Sequence, residues 1–128
     1  MKLSNKIFLT TQIKDDDKTT NVWFIISLNK LLKQDLDVKL SYSLLKFYKE
    51  LQDKEEVFNE AKAKILEKFG TKEGNGYIIS KENVEGANNE FKSLLEIEEE
   101  YSIEKFKLPE DIKISAWDII QLELILQE

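Results

Sequence analysis

Apolar residues recur at helical spacing through the middle of the chain, and the longest such stretch runs from about Tyr42 to Phe69. Two apolar groups lie on nearly the same side of it: Leu44, Phe47, Tyr48 and Leu51, then Phe58, Ala61, Ile65 and Phe69. Residues 52–56 between them are all polar, which fits either an exposed middle or a bend near Asp53. Neither Gly nor Pro lies there, so the pattern predicts one continuous helix, capped by Ser41 and stopped by Gly70.

Three further helices are predicted from the same periodicity. They are a helix from Thr19 or Thr20 to about Gln34, a helix over about 84–101 after Ser80 or Asn83, and a helix over about 117–126 after Ser115. The last has the clearest start, because Asp118 follows Ser115 by three residues, as in a capping box. Ile114 and Ile119 are also placed to form a hydrophobic staple.

Shorter apolar segments predict extended structure. Lys6–Ile13 fits a strand or a helix start, Asp15–Lys18 fits a solvated loop, Leu36–Leu40 alternates, and Tyr77–Ile79 has strand chemistry with Ile103–Leu108 as its predicted partner, ended by Pro109. The predicted fold class is therefore α+β, mostly helical, with four or so helices and a small two- or three-stranded antiparallel sheet. Residues 1–128 are expected to form a single domain, in which residues 1–18 could instead be an extended N-terminal arm.

Composition narrows the chemistry. The 128 residues are 41% hydrophobic, which is enough for a real core, and they include no Cys and no His. Disulfides and thiolate zinc sites are thus excluded, and the commonest general base is missing. Carboxylate pairs such as Glu55 with Glu56 are explained by helix solubility, so we expect no enzymatic activity and no cofactor.

The charged residues limit the classes of partner that are expected. All 19 basic residues are lysines, which removes bidentate phosphate clamps, and the net charge of −6 argues against nucleic-acid binding. Residues 81–104 hold eight Glu and two Lys, so this segment carries the whole net charge. It is either a solvated face or a surface for a basic partner, with Glu96, Glu99 and Glu100 as candidate contacts. No apolar run has the length of a membrane span or of a secretory signal, so neither is expected.

The segment Thr71–Glu82 resembles the twelve-residue calcium loop of an EF-hand. The matching ligand positions are Glu73 (third), Asn75 (fifth), Tyr77 (seventh, through its carbonyl) and Glu82 (twelfth). Gly76 occupies the sixth position, where the loop turns sharply. However, Thr71 stands at the first position, where the family has Asp, and Ile79 offers no side-chain oxygen at the ninth. The competing interpretation is a Gly-rich turn from a helix into a strand.

The predicted C-terminal helix has more apolar positions than one packing face requires. Trp117, Ile120 and Leu124 follow helical spacing on one side, while Ile119, Leu122 and Leu126 cover another. The helix is therefore expected to be buried on two faces or to complete an interface. In the second case Trp117, Ile120 and Leu124 are the candidate partner-binding residues.

The order of elements over residues 22–127 resembles a family of small uncharacterised bacteriophage proteins. The resemblance rests on the entry Val38–Tyr42, the long helix through Lys46 and Phe58, the stop Lys68–Gly70, the turn Gly76–Ile78, the helix with Phe91 and Leu94–Glu96, and a short capped C-terminal helix. It implies a phage or prophage origin and assigns no activity.

The resulting expectation is a non-enzymatic protein-interaction protein in the host cytoplasm or the virion, with a protein partner or a second copy as its ligand. It would be either a small virion or assembly component or a host-factor-binding accessory protein. A calcium-binding module built on residues 71–82 and an acidic inhibitor of a host defence nuclease are the alternatives.

Overall fold

The fold is mostly helical with small strands, which confirms the predicted α+β class. A computed structural model describes residues 1–15 and 18–127, with side chains described outside residues 10–23. The helices are α1 (Phe24–Leu32), α2 (Val38–Phe69), α3 (Lys81–Glu96) and α4 (Ala116–Leu122). The strands are β1 (Lys2–Ser4), β2 (Thr10–Asp15), β3 (Lys18–Trp23), β4 (Gly70–Glu73), β5 (Gly76–Ile79) and β6 (Glu98–Glu100). None of the helices in these described ranges combines the length and the hydrophobicity of a membrane span.

The strands form three separate two-stranded antiparallel sheets. The pair β2–β3 and the pair β4–β5 are local hairpins, whereas β1 pairs with β6 from the far end of the chain, with Leu3 opposite Glu99. The prediction that Ile103–Leu108 pairs with β5 is wrong, because β4 follows α2 directly and closes on β5 through a two-residue turn. Such a short loop costs less entropy than bringing in a distant strand.

The long helix is continuous, as predicted, but it begins four residues earlier than expected. Asp37 is its N-cap, and the Asp37 carboxylate accepts a hydrogen bond of 2.9 Å from the Leu40 N–H. The predicted extended segment Leu36–Leu40 and the predicted Ser41 cap are therefore wrong. The alternation of Leu36, Val38 and Leu40 suggested a strand, but Val38 and Leu40 fit a first helical turn as well, and Asp is a strong N-cap residue. Gly70 ends the helix as predicted.

The start of α1 also differs from the prediction. Thr19 and Thr20, the predicted caps, lie in β3 and pair with Lys14 and Ile13, so α1 begins only at Phe24. Thr is β-branched and favours strands, and the long β2–β3 pairing uses that preference. In the predicted solvated loop, Asp15 and Lys18 form the last pair of this hairpin. Its two middle residues, Asp16 and Asp17, lie outside the described residues.

The end of α3 differs from the prediction as well. Ser80 is the N-cap, one of the two predicted, but the helix ends at Glu96 rather than near Tyr101. Ile97 adopts an extended conformation, and its carbonyl accepts a 2.9 Å hydrogen bond from the Asn5 N–H. The next three residues then pair with β1. The helix ends here because the following residues pair with a segment more than 90 residues earlier in the chain. The apolar spacing within residues 84–101 carries no information about that partner.

The core lies between α1, α2, α4 and the N-terminal residues. Its fully buried members include Leu28, Leu31, Leu44, Phe47, Leu51, Leu122 and Ile125. Leu3, Ile7 and Phe8 are buried as well, so residues 2–8 pack into the domain. Phe47 meets Phe24 and Tyr101 edge-on, at ring-centroid distances of 6.0 and 5.3 Å. The aromatic centre thus joins α1, α2 and the segment after β6.

Two glycines set the geometry at the end of α2. Gly74 begins the β4–β5 turn with φ of 61°, a conformation that L residues rarely adopt. Gly86 on α3 lies against the Phe69 ring, and a Cβ there would come within 2.7 Å of the ring. The α2–α3 contact therefore depends on the missing side chain at position 86.

The Tyr101 hydroxyl is a buried polar group without a partner. The side chain is 2% exposed, and its oxygen accepts or donates no hydrogen bond among the described residues. Burial, assisted by the Glu99 and Glu50 charges, raises the pKa of Tyr101 to about 12, so the phenol stays neutral. The Lys54 ammonium lies 4.0 Å from the ring centroid and contacts the π face rather than the hydroxyl.

Replacing Tyr101 by phenylalanine is expected to stabilise the protein. The substitution keeps the ring contacts and removes the unpaired hydroxyl, whose burial costs on the order of 1 kcal/mol. Urea unfolding of Tyr101→Phe would measure the gain, and Tyr42→Phe, at an exposed position of α2, is the matched control with little expected change. A loss of stability in Tyr101→Phe would mean that the hydroxyl has a partner, such as a buried water.

Candidate functional site

The start of α4 is fixed by the predicted cap. Ser115 Oγ accepts a 3.2 Å hydrogen bond from the Asp118 N–H and donates one of 2.7 Å to Asp118 Oδ2. The helix is shorter than the predicted 117–126 span, because it ends at Leu122 and continues as a 3₁₀ turn over Glu123–Ile125. The tighter turn changes which of the last residues face inward.

Asp118 also ties α4 to α1. Ser27 Oγ donates a 2.8 Å hydrogen bond to Asp118 Oδ1, and Lys30 Nζ lies 3.4 Å from Oδ2. Burial by itself would raise the pKa of the Asp118 carboxyl, but the hydrogen bonds from Ser115 and Ser27 and the Lys30 charge outweigh it and hold the pKa below its ordinary value. The carboxylate is therefore ionised at neutral pH, and it holds α4 in one orientation.

The opposite side of α4 is an exposed apolar surface. Trp117 and Ile120 lie one helical turn apart, and Leu124 follows on the 3₁₀ turn; they are 50%, 48% and 50% exposed. We call these three residues the α4 face. Leu122 and Leu126, on the second predicted apolar side, are buried. The prediction left burial on two faces and an interface open, and the structure places Trp117, Ile120 and Leu124 on the surface.

Two shallow clefts flank Leu124 and extend the α4 face. A cleft of about 480 Å³ lies on one side, lined by Lys105, Ile119, Glu123, Leu124, Leu126 and Gln127. A cleft of about 340 Å³ on the other side reaches Ser4, Lys6, Ile7, Leu9, Phe24 and Gln121. Leu9 and Ile119 are exposed members that the sequence analysis missed. By spacing, Ile119 falls on the same side as Leu122 and Leu126, which are buried, and nothing in the local pattern places Leu9 beside α4.

The acidic candidates lie on other elements. Glu96 is exposed at the end of α3, and Glu99 and Glu100 belong to β6. Neighbouring strand residues point to opposite sides of a sheet, so Glu99 and Glu100 do not share one surface. Glu100 also pairs with the N-terminal ammonium at 3.0 Å and stands opposite Lys2. The structure therefore divides this segment and neutralises part of it, which weakens the case for an acidic mimic of nucleic acid.

The segment Thr71–Glu82 forms a hairpin followed by the first turn of α3. Glu73 and Gly76 flank the turn as a pair, Asn75 lies in the turn, and Tyr77 is in β5, whereas Glu82 lies beyond β5 on α3. A four-residue strand spans roughly 10 Å, so the hairpin spreads the two carboxylates along its length instead of wrapping them around one point. Over residues 1–9 and 24–127, whose side chains are described, no three acidic side chains come together as a metal site. Calcium binding stays a prediction that this geometry does not favour.

Comparison with known proteins assigns no relative. No protein-family model, no curated protein and no solved structure matches this chain. The site must therefore be judged on its own chemistry, and its most distinctive feature is the α4 face.

Proposed function

We propose that this chain is a non-enzymatic protein-interaction protein and that the α4 face is its contact surface. The observation that carries the proposal is the exposure of an indole and two aliphatic side chains on one side of a capped helix whose other side is buried in the core. Trp is the residue most enriched among the side chains that dominate binding energy. Such residues on one face are typical of a surface that another protein covers.

The helix is also held rigid before it binds. The Ser115 cap fixes its first turn, and the Asp118 hydrogen bonds fix its rotation against α1. A partner would therefore meet an ordered surface and would lose little additional conformational entropy at this helix. Lys105 and Glu123 border one flanking cleft and supply the polar rim that interfaces commonly have.

The origin of the chain belongs to the same proposal. The resemblance to small bacteriophage proteins supports a role either as a small virion or assembly component or as an accessory protein that binds a host factor. In both roles the partner is a protein that presents an apolar groove or helix to the α4 face. A second copy of this chain is the other candidate occupant.

A charge placed in the α4 face is expected to weaken association strongly. Ile120→Lys should lower the affinity about thirtyfold or more, since disruption of a central contact costs about 2 kcal/mol or more. Light scattering of the purified chain tests self-association, and crosslinking in phage-infected cells, mapped by mass spectrometry, tests a heterologous partner. Crosslinks from residues around the α4 face, lost in Ile120→Lys, would support the proposal.

Ile78→Lys is the matched control, because Ile78 is similarly exposed but lies on β5. The free energy of unfolding of both variants should lie within roughly 0.5 kcal/mol of the wild-type value, as is usual for surface substitutions. A protein that stays monomeric and yields no crosslink through the α4 face would overturn the proposal. Equal loss of binding in Ile120→Lys and Ile78→Lys would do the same.

A further inference from the structure

A third cleft, of about 390 Å³, lies where α2 meets α3 and the 3₁₀ turn at Asn5–Phe8. Its lining consists of Phe8, Leu9, Glu55, Phe58, Asn59, Lys62 and Phe91. Four of these residues come from α2 at spacings of three, four and seven, which places them on one face of the helix. The cleft thus combines three aromatic rings with one carboxylate and one ammonium group.

The carboxylate is not paired. Glu55 Oε2 is closed to solvent and accepts no hydrogen bond from the described part of the chain, and Glu55 forms no ion pair there. Burial raises the pKa of Glu55 above its ordinary value. Glu55 is only partly buried, but one of its two oxygens faces the cleft without a hydrogen-bond donor from the described residues, and such an atom is less well solvated than the carboxylates on the exposed side of α2.

The rings beside Glu55 suit a cation. Phe58 is 5.2 Å from Phe8 and 6.4 Å from Phe91, measured between ring centroids, so the three rings form one continuous wall. The Lys62 ammonium already lies 5.8 Å from the Phe91 centroid, at the outer limit of a cation–π contact. The protein's own ammonium thus approaches this wall without pairing with Glu55.

Helix geometry explains why Lys62 does not reach Glu55. The two residues are seven positions apart, a rise of roughly 10 Å along α2. The Lys62 ammonium and the Glu55 carboxylate therefore belong to different turns of α2. The rest of the cleft is lined by the three rings, Leu9 and Asn59, so a cation bound there would lie close to both the rings and the carboxylate.

We propose that this cleft binds an alkylammonium group, with Glu55 as its counter-ion and Phe91 as its aromatic contact. The group could be the end of a lysine side chain of another protein or a free aliphatic amine, because both present the same chemistry. Lys62 is a weak internal competitor that partly occupies the site. Only Leu9 is shared between this cleft and the clefts beside the α4 face, so alkylammonium binding can be tested independently of the proposed function.

The direct test is titration with n-butylammonium chloride, followed by NMR of phenylalanine-labelled protein. Saturable shifts confined to the ring signals of Phe8, Phe58 and Phe91 are the expected result, and n-butanol, which has the same length and no charge, should bind at least about tenfold more weakly. Stronger binding of acetyl-lysine methylamide than of n-butylammonium would assign the site to a protein side chain. Stronger binding of putrescine would assign it to free amines.

Three variants separate this proposal from a merely apolar cleft. Glu55→Gln should lower n-butylammonium affinity about fivefold, the equivalent of about 1 kcal/mol, and Glu56→Gln, the exposed neighbour, should not change it. Lys62→Met should raise affinity severalfold, because it removes the competing ammonium, whereas Lys64→Met should have no effect. Absence of saturable shifts, equal binding of n-butanol, or unchanged affinity in a folded Glu55→Gln protein would each overturn the proposal.

Discussion

Replacing Phe47 by alanine is expected to lower the free energy of unfolding by about 3–5 kcal/mol. Phe47 is fully buried on α2, and its ring contacts Phe24 on α1 and Tyr101 after β6. Three parts of the chain that are distant in sequence meet at this ring. Its removal leaves a cavity that rigid neighbours on three sides cannot close by local adjustment, which places the cost at the upper end of core truncations.

Guanidinium or urea unfolding of Phe47→Ala measures this loss, and Phe47→Leu provides a smaller truncation in case the alanine variant does not fold. Phe47→Leu should fall between the wild type and Phe47→Ala. Tyr42→Ala, an aromatic truncation at an exposed position of the same helix, is the control and should change stability by less than about 0.5 kcal/mol. A Phe47→Ala protein as stable as Tyr42→Ala would contradict the packing described here.

Replacing Asp118 by alanine is expected to cost about 3 kcal/mol at neutral pH. The variant keeps the backbone hydrogen bond of the Ser115 cap but loses the Ser115–Asp118 side-chain hydrogen bond, and it leaves the fully buried Ser27 hydroxyl without its acceptor. The Lys30 contribution is small, because that side chain is half exposed and its ammonium is solvated. Asp118→Asn should lose less, since the amide oxygen can still accept one of these hydrogen bonds.

The Asp118 effect should also depend on pH. Because the folded protein holds the pKa of Asp118 below its ordinary value, the carboxylate contributes its stability above the unfolded-state pKa of about 3.9 and loses it as pH falls through the lower folded-state pKa. The difference in unfolding free energy between wild type and Asp118→Ala should thus be constant near neutrality and narrow in acid. Asp111→Ala, at an exposed position, should show little difference at any pH. A gap that does not narrow in acid would mean that the Asp118 charge contributes nothing.

The fold class and the longest helix followed from the sequence alone. Apolar residues at helical spacing before and after residues 52–56, with no Gly or Pro between, predicted a continuous helix, and α2 is continuous. The Ser115 cap and the Gly70 stop were correct for the same kind of reason. Each of these signals acts between residues no more than a few turns apart, so the determining contacts lie within the segment itself.

The errors share a different cause. Thr19 and Thr20 fit a helix cap until their pairing with Lys14 and Ile13 is known, and Ile97 fits a helix until its hydrogen bond to Asn5 is known. In both cases a β partner outside the segment overrides a local preference. The start of α2 is the exception. The Asp37 cap is a local signal, but the alternation of apolar and polar residues over Leu36–Leu40 favoured a strand there instead.

The candidate sites were likewise predictable only as far as local spacing determines them. The spacing of Trp117, Ile120 and Leu124 was visible in the sequence and made them candidate contacts, but periodicity does not say which of two apolar sides of a helix is covered. The Ser27–Asp118 hydrogen bond and the buried Leu122 decide that, because they turn α4 toward α1. The Glu55 cleft was missed entirely, since Phe8 and Phe91 approach Glu55 from other parts of the chain.

The sequence by itself determined the helical class, the continuity and the C-terminal end of α2, the α4 cap and the exclusion of thiol and imidazole chemistry. These are consequences of residue identity and of contacts within one or two helical turns. Only the tertiary structure decided the three sheets, the outward orientation of the α4 face and the position of Glu55 in a cleft beside three aromatic rings. Exposure, pairing and the pKa of a buried group depend on atoms that are far apart in the chain and adjacent only after folding.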